Sequence, residues 1–537
     1  MTFRNVFRTM RLGMAAALGL LTMPHVATAA APAKAAVDAN ARAAMDCAAL
    51  KTTDFTQVEG AATSVTTAEI VPASAAAKEY CRVVGYVQPQ VGFELRLPTQ
   101  SWNGRYFQVG CGGLCGVINI QNCGDALAKD FAVAANNMGH VGDFWKEPLW
   151  GSDPALREDY GKRSTHAMAV AAKAIIATYY GASPAYSYFR GCSTGGREGL
   201  SEAQHFPEDF DGIVAGDPAF PGRLGALANN WDANHLLDES HKPVLSEAKL
   251  QLLHNAVLNA CDAIDGLKDG ILTDPRDCKY QWRKLACPKS GEGPNCLTAR
   301  EMVAVDALYS GVHNSKGERL SPGGSPFGSE LAWDGNNRRA IADAYLRYLA
   351  FAEQRPKMSY RDFDFDRDPE LIKAQTAIYD PVAPGTAPDL SAFHAAGGKL
   401  IAYHGWADPG VPPESMLDYY AKVTGALGGV DQVRNWFRVF MVPGMLHCRG
   451  GDAPNTFDFL TPMVAWVEKG VVPDGVIATQ FADDKKTVKR TRPLFAYPNV
   501  AAYTGKGDVN AAASWTAKAP KAVRDDNIDW LWGPKTR

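Results

Sequence analysis

The feature that most constrains this chain is a series of short apolar runs, each ending in a turn rich in Gly or carrying an Asp. "RYFQVG" leads into "CGGLCG" at 111–116, "YSYFRG" into Ser193, "DGIVAGDPA" through Asp217, "KLIAYHGWAD" to Asp408 and "WFRVFMVPGMLH" to His447. Helical patterns lie between them: Thr165 to Tyr180 is rich in Ala, Met, Val and Ile, and Phe457 to Lys469 is amphipathic. Apolar strands alternating with helices predict an α/β fold with a largely parallel sheet covered on both faces.

The stretch 220–384 breaks the pattern. It holds helical segments (Glu247 to Cys261, Glu301 to Tyr309), loops such as "GGSPFG" and "KSGEGPNC", and four cysteines. It reads as an insertion that leaves the sheet and returns before Lys399, so the sheet would be built in two parts, 30–219 and 385–537. More than one ordinary core is expected at this length. The first 29 residues have a different grammar: Arg4, Arg8 and Arg11, then an apolar run from Met14 to Leu21, then Ala27-Thr28-Ala29. That is the pattern of a cleavable secretory signal, and the run is too short to span a bilayer. A secreted or periplasmic protein beginning near Ala30 is expected.

Charge excludes some functions. The chain has 55 basic and 58 acidic side chains, and without the three arginines of 1–29 the balance is −6. A mildly acidic surface gives no footprint for nucleic acid or an anionic membrane. Export makes disulfides the default for the eleven cysteines, and an odd number leaves one outside a pair.

Gly191-Cys192-Ser193-Thr194-Gly195 matches the G-x-S-x-G elbow, which lifts a serine hydroxyl above the sheet edge at a strand-to-helix turn. The helical "REGLSEAQHF" follows it. Partners must come from later strand ends, in the order nucleophile, acid, histidine. His447 is the base of choice. His404 also lies near a strand end, but only four residues before the candidate acid Asp408. Asp217 is a rival acid, with a turn-forming Asp before Pro218 as its simpler reading. Cys192 precedes the serine and Cys448 follows the histidine. If Ser193 and His447 are within hydrogen-bond reach, their neighbours can approach the roughly 4.4–6.8 Å between Cα atoms that a disulfide requires. A Cys192–Cys448 bridge is therefore expected to tie nucleophile to base. The amide of Thr194, with that of Gly112 or Gly113, would supply the oxyanion hole.

Cys-Ser, a later Asp and His-Cys in this order resemble the tannase and feruloyl esterase family. The likeness runs through "RYFQVGCGGLCG", "FRGCSTGGREGL", "FPEDFDGIVAGDPA", "YHGWADPGVPP", "PGMLHC" and "RPLFAYP". It implies an α/β-hydrolase fold with a lid domain inserted between nucleophile and acid, and Ser193, Asp408 and His447 as the triad of a carboxylesterase. Its substrates would be small esters of aromatic acids; oligomeric state stays open. Hydroxycinnamate-type esters are favoured, with terephthalate monoesters as the alternative. In the terephthalate-acting relative an aromatic residue stands three positions after the triad Asp, where this chain has Val411. A peptidase, or a binding protein on a hydrolase scaffold, would be the readings from other classes.

"CDAIDGLKDGI" at 261–271 sets Asp262, Asp265 and Asp269 within eight residues. By itself this reads as two Asp-Gly turns or as a site for a hard, oxygen-seeking cation. The resemblance implies a structural Ca²⁺ in the lid, with Leu267 and Ile271 ligating through backbone carbonyls and a Cys261–Cys278 bridge enclosing the loop. Cys47–Cys81 and Cys287–Cys296 are further expected pairs. Cys111, Cys115 and Cys123 leave the third partnering open. Many relatives have a cysteine in the "RPLxxYP" stretch and a partner near the C-terminus; Phe495 and roughly Trp515 stand there instead.

Overall fold

The computed structural model describes residues 42–74, 77–143, 148–220, 222–289, 291–382, 387–520 and 524–528. The expected signal at 1–29 and the boundary at 384 lie outside them. Among the described residues no helix is long and apolar enough to cross a membrane.

Nine strands form one sheet: β1 (Thr63–Val71), β2 (Tyr80–Val87), β3 (Val91–Pro98), β4 (Arg105–Val109), β5 (Ala132–Asn136), β6 (Tyr186–Cys192), β7 (Gly212–Gly216), β8 (Lys399–Gly405) and β9 (Phe437–Val442). Their order is β1-β2-β3-β5-β4-β6-β7-β8-β9. The first three strands and the β3–β5 pair are antiparallel. From β5 onward every pairing is parallel. The five apolar runs of the sequence are β4, β6, β7, β8 and β9. Successive residues on these strands serve opposite faces: Ile213, Leu400 and Val439 join one apolar core, and Val214, Ile401 and Phe440 the other. Burial on both sides is why they carry no polar alternation.

The helices begin and end where local chemistry dictates. Ser164–Tyr180 stops at Gly181, whose φ of 72° closes the last turn. Glu247–Cys261 starts on Ser246, whose hydroxyl accepts the Lys249 N–H. Thr298 and Glu301 form a reciprocal capping box for Ala299–Ser310. The amphipathic helix expected from Phe457 begins only at Leu460. The Asp458 carboxylate accepts the N–H groups of Leu460 and Thr461, while Phe457 and Phe459 pack on Tyr403. Amphipathic spacing continued past the residue at which the chain turns.

The chain between β7 and β8, from Asp217 to Gly398, adds no strand to the sheet among its described residues. It has a core of its own, including Leu245, Leu253, Leu297, Val305, Leu308 and Trp333. Five disulfides close: Cys47–Cys81, Cys111–Cys115, Cys192–Cys448, Cys261–Cys278 and Cys287–Cys296. Cys123 is the unpaired one, and its burial pushes the thiol up. Phe495 and Trp515 line the same cleft.

Candidate active site

Ser193 is the hinge between β6 and the helix Thr194–His205, and it sits at φ 63°, ψ −119°. A side-chain-bearing residue enters that region only when its surroundings force it. Here its N–H donates to Gly216 O at 2.9 Å, and its carbonyl accepts from Ala219 at 3.0 Å. Both flanking glycines are required by space. A Cβ on Gly191 would lie 2.4 Å from the Gly195 backbone, and one on Gly195 would lie 2.9 Å from Cys111 O.

His447 comes from the loop after β9. That loop is strapped to the end of β8, since Trp406 N–H donates to Val442 O and Ala407 N–H to Met445 O, both at 2.9 Å. Asp408 follows directly. Its Oδ1 accepts the N–H groups of Gly410 (2.7 Å) and Val411 (3.1 Å), which aims Oδ2 at His447 Nδ1, 2.6 Å away. His447 Nε2 is 2.8 Å from Ser193 Oγ. The Asp408 side chain is fully buried, whereas that of His447 is 32% exposed, so the chain of bonds runs from the interior to an accessible hydroxyl. Burial acts to lower the His447 imidazole, but the charge and hydrogen bond of Asp408, with the charge of Asp217, together outweigh it and the net direction is up. Burial would raise Asp408; His447, then His404, hold it well below the usual carboxylate range.

Cys192 and Cys448 are bonded with their Cα atoms 6.0 Å apart, so the predicted bridge joins the elbow to the histidine loop. Cys448 itself sits at φ 64°. His404 does not take the place of His447: it is fully buried, with Nε2 3.0 Å from Val411 O. Asp217 does not take the place of Asp408; its Oδ1 accepts the Gly405 N–H at 3.0 Å.

The elbow also meets the early turn. Thr194 Oγ1 donates to Gly113 O at 2.8 Å, and Tyr160 Oη to the same oxygen at 3.1 Å. Glu198, on the elbow helix, accepts the Cys111 N–H at 2.9 Å and the Thr165 hydroxyl at 2.6 Å. Burial pushes its carboxyl up to about 7. Sequence reading missed Glu198. The available signal was its place five residues after the serine on a helix whose residues from Thr194 to Ala203 are all buried.

The aspartate loop is folded largely on itself. Asp262 accepts from Gly270 N–H at 3.0 and 3.1 Å, and Asp265 from Leu267 N–H at 2.9 Å and the Thr273 hydroxyl at 2.7 Å. Asp269 pairs with Arg492 at 2.5 Å. The donors are all oxygens, which suits a hard cation. Among the described residues, however, the clusters whose ligand atoms lie within 4.8 Å of one another are Cys192/Asp217/Cys448 and Asp217/His404/Asp408, not these three aspartates.

The family model for tannase and feruloyl esterase matches residues 74–518. The chain belongs to that family. As a member, this esterase is a carboxylic ester hydrolase. It is 32% identical to an uncharacterized esterase of Xanthomonas campestris pv. campestris, over 84% of this chain and 88% of that one. It is also 32% identical to mono(2-hydroxyethyl) terephthalate hydrolase of Piscinibacter sakaiensis, over 83% and 86% of the two chains. Among solved structures, feruloyl esterase B from Aspergillus oryzae superposes with a TM-score of 0.77 at 27% identity, covering 88% of this esterase and all of that chain.

Proposed function

We propose that the protein is an exported serine esterase acting on small esters of aromatic acids, through Ser193, His447 and Asp408 and an acyl-enzyme. The observation that carries this is the continuous Asp408–His447–Ser193 hydrogen-bonded chain, at 2.6 and 2.8 Å, at the hinge of a strained elbow. His447 takes the Ser193 proton as Oγ attacks the ester carbonyl. Asp408 holds the imidazole in the tautomer with its proton on Nδ1 and stabilises its charged form. The alcohol leaves, and water attacks the acyl-enzyme with His447 again as base. The oxyanion is received by the Thr194 N–H, at the open N-terminal end of its helix, and by a turn amide. Gly110 and Cys111 N–H groups already donate to Arg190 O and Glu198, which leaves Gly112 and Gly113 as the candidates on that turn.

Val411 in place of an aromatic side chain three residues after Asp408 favours hydroxycinnamate-type esters over terephthalate monoesters. In the insertion, Asp262, Asp265 and Asp269, with the carbonyls of Leu267 and Ile271, would hold one Ca²⁺ that braces the segment without touching the reacting groups. The deciding experiment compares turnover of methyl ferulate, methyl gallate, mono(2-hydroxyethyl) terephthalate and a peptide amide. Preference for the first is the expected result. Hydrolysis of the amide alone would replace an esterase with a peptidase, and no turnover of any would leave a binding protein.

A further inference from the structure

Behind Asp408 lies a second ionisable pair that the reaction scheme leaves unused. His404 Nε2 is 3.4 Å from Asp408 Oδ2 and 3.8 Å from Asp217 Oδ1, and all three side chains are fully buried. Asp217 comes from the end of β7, His404 from β8 and Asp408 from the loop after it, so the group is assembled by two neighbouring strands and the turns that follow them. Because Nε2 faces the Val411 carbonyl at 3.0 Å, that nitrogen carries a proton. Among the described residues His404 Nδ1 is buried with no hydrogen-bond partner, so neither a donor nor an acceptor there fixes the charge of the ring. The two imidazoles share one oxygen: Asp408 Oδ2 is 2.6 Å from His447 Nδ1 and 3.4 Å from His404 Nε2. The two nitrogens therefore lie no more than about 6 Å apart, close enough for the charge on one ring to act on the other.

We infer that Asp217 and His404 are positioning residues for the triad: a buried acid–histidine pair that backs Asp408 and sets the charge felt by His447. The inference rests on the triad reading above. Asp217 also anchors the frame, since its Oδ1 accepts the N–H of Gly405, three residues before Asp408. Burial, then Asp408, push Asp217 up to about 6, against the pull of His404 and His447. Burial would lower His404, but Asp217 and then Asp408 turn it upward. The remaining groups that face the cluster are Glu414 at the start of the helix Glu414–Ala426, raised by burial and opposed by Arg276, and Tyr403, raised by burial and by Asp217. Arg338 from the insertion acts on His447 in the lowering direction.

The pair makes a signed prediction. His447 must be neutral to accept the Ser193 proton, so activity is lost as pH falls through its value, which gives the acidic limb of kcat/KM. Asp217→Asn removes a negative charge, keeps an oxygen for the Gly405 N–H, and should move that limb to lower pH by about half a unit. His404→Gln removes the imidazole that offsets the Asp217 and Asp408 charges, retains an N–H for Val411 O, and should move the limb to higher pH by up to about one unit, the scale of a single charge at this range. A purely structural pair would lower kcat and leave the limb in place.

The measurement is the pH profile of kcat/KM on a p-nitrophenyl ester for the full chain and both variants. Opposite shifts support the inference; shifts of one sign, or unmoved limbs, overturn it. If Asp217→Asn fails to fold, His404→Gln decides alone, upward in support and unmoved against. Ser193→Ala separates the two layers. Loss of turnover there with unmoved limbs in the variants overturns only the pair, whereas retained turnover overturns the triad and the pair together.

Discussion

The Ser193 cluster and the 261–271 loop are both dense in groups that can do chemistry, yet the fold treats them in opposite ways. Ser193, Asp217, His404, Asp408 and His447 arrive from four strands or the turns that follow them, and their side chains meet within hydrogen-bond or ion-pair distance of one another. Asp262, Asp265 and Asp269 are neighbours in sequence, and their side chains bond first to the loop's own N–H groups and to Arg492. The reason is where the backbone donors go. In a parallel sheet the ladder satisfies most amides of the strands, so residues at their ends are free to meet across the edge. In a tight loop the amides have no ladder, and the nearest carboxylates answer them.

The largest effect should come from cutting the Ser193 cluster. Ser193→Ala should lower kcat by on the order of 10⁶-fold with the fold intact, and Asp408→Asn by about 10⁴-fold. Steady-state kinetics alongside circular dichroism would test both, and near-wild-type kcat in either would remove that residue from the triad. If Asp217→Asn proved the more damaging change, the acid would be misassigned. An intermediate effect is expected from the bridge that ties the cluster's two sides. A Cys192→Ala/Cys448→Ala double variant should lose about 10²-fold in kcat, the scale of a misplaced catalytic group, while its melting temperature falls less steeply. Equal loss of activity and folded fraction would make the bridge a general staple.

The smallest effect on turnover should come from the loop. If Ca²⁺ binds there, it stabilises the native state by RT ln(1 + [L]/Kd), so a chelator should lower the melting temperature and change kcat little. Asp265→Asn/Asp269→Asn should remove the chelator response. Purified protein with no calcium, and no chelator shift at millimolar added calcium, would return the segment to a pair of Asp-Gly turns. That outcome would sharpen the contrast, because the loop's carboxylates would then serve only its own backbone.

Much of this was legible beforehand, in uneven ways. The strands carrying the site declared themselves because both faces are buried and the side chains are accordingly apolar. β5 did not: Ala-Val-Ala-Ala-Asn has little strand preference, and its conformation comes from pairing with β3 and β4. Nor did the antiparallel β1–β3 region, where the burial of Thr63–Val71 is mixed and no motif marks its register. At the site, chain order and flanking cysteines singled out Ser193, Asp408 and His447. They could not separate Cys111–Cys115 from pairings with Cys123, because spacing sets a loop length and not a direction.

By itself the sequence determined the α/β class, the elbow, Asp408 and His447 as the candidates after it, and the bridge between the neighbours of Ser193 and His447. Each is encoded locally, in burial pattern, in glycines that admit close backbone approach, or in residues adjacent along the chain. Only the tertiary structure decided that Asp217 and His404 stand behind Asp408, that Glu198 takes the Cys111 N–H, and that Arg492 reaches Asp269. Apart from His404–Asp408, four positions apart, those contacts join residues from 87 to 223 positions apart. No periodicity or motif records them, since what brings them together is the register of neighbouring strands and the packing of the insertion against the core.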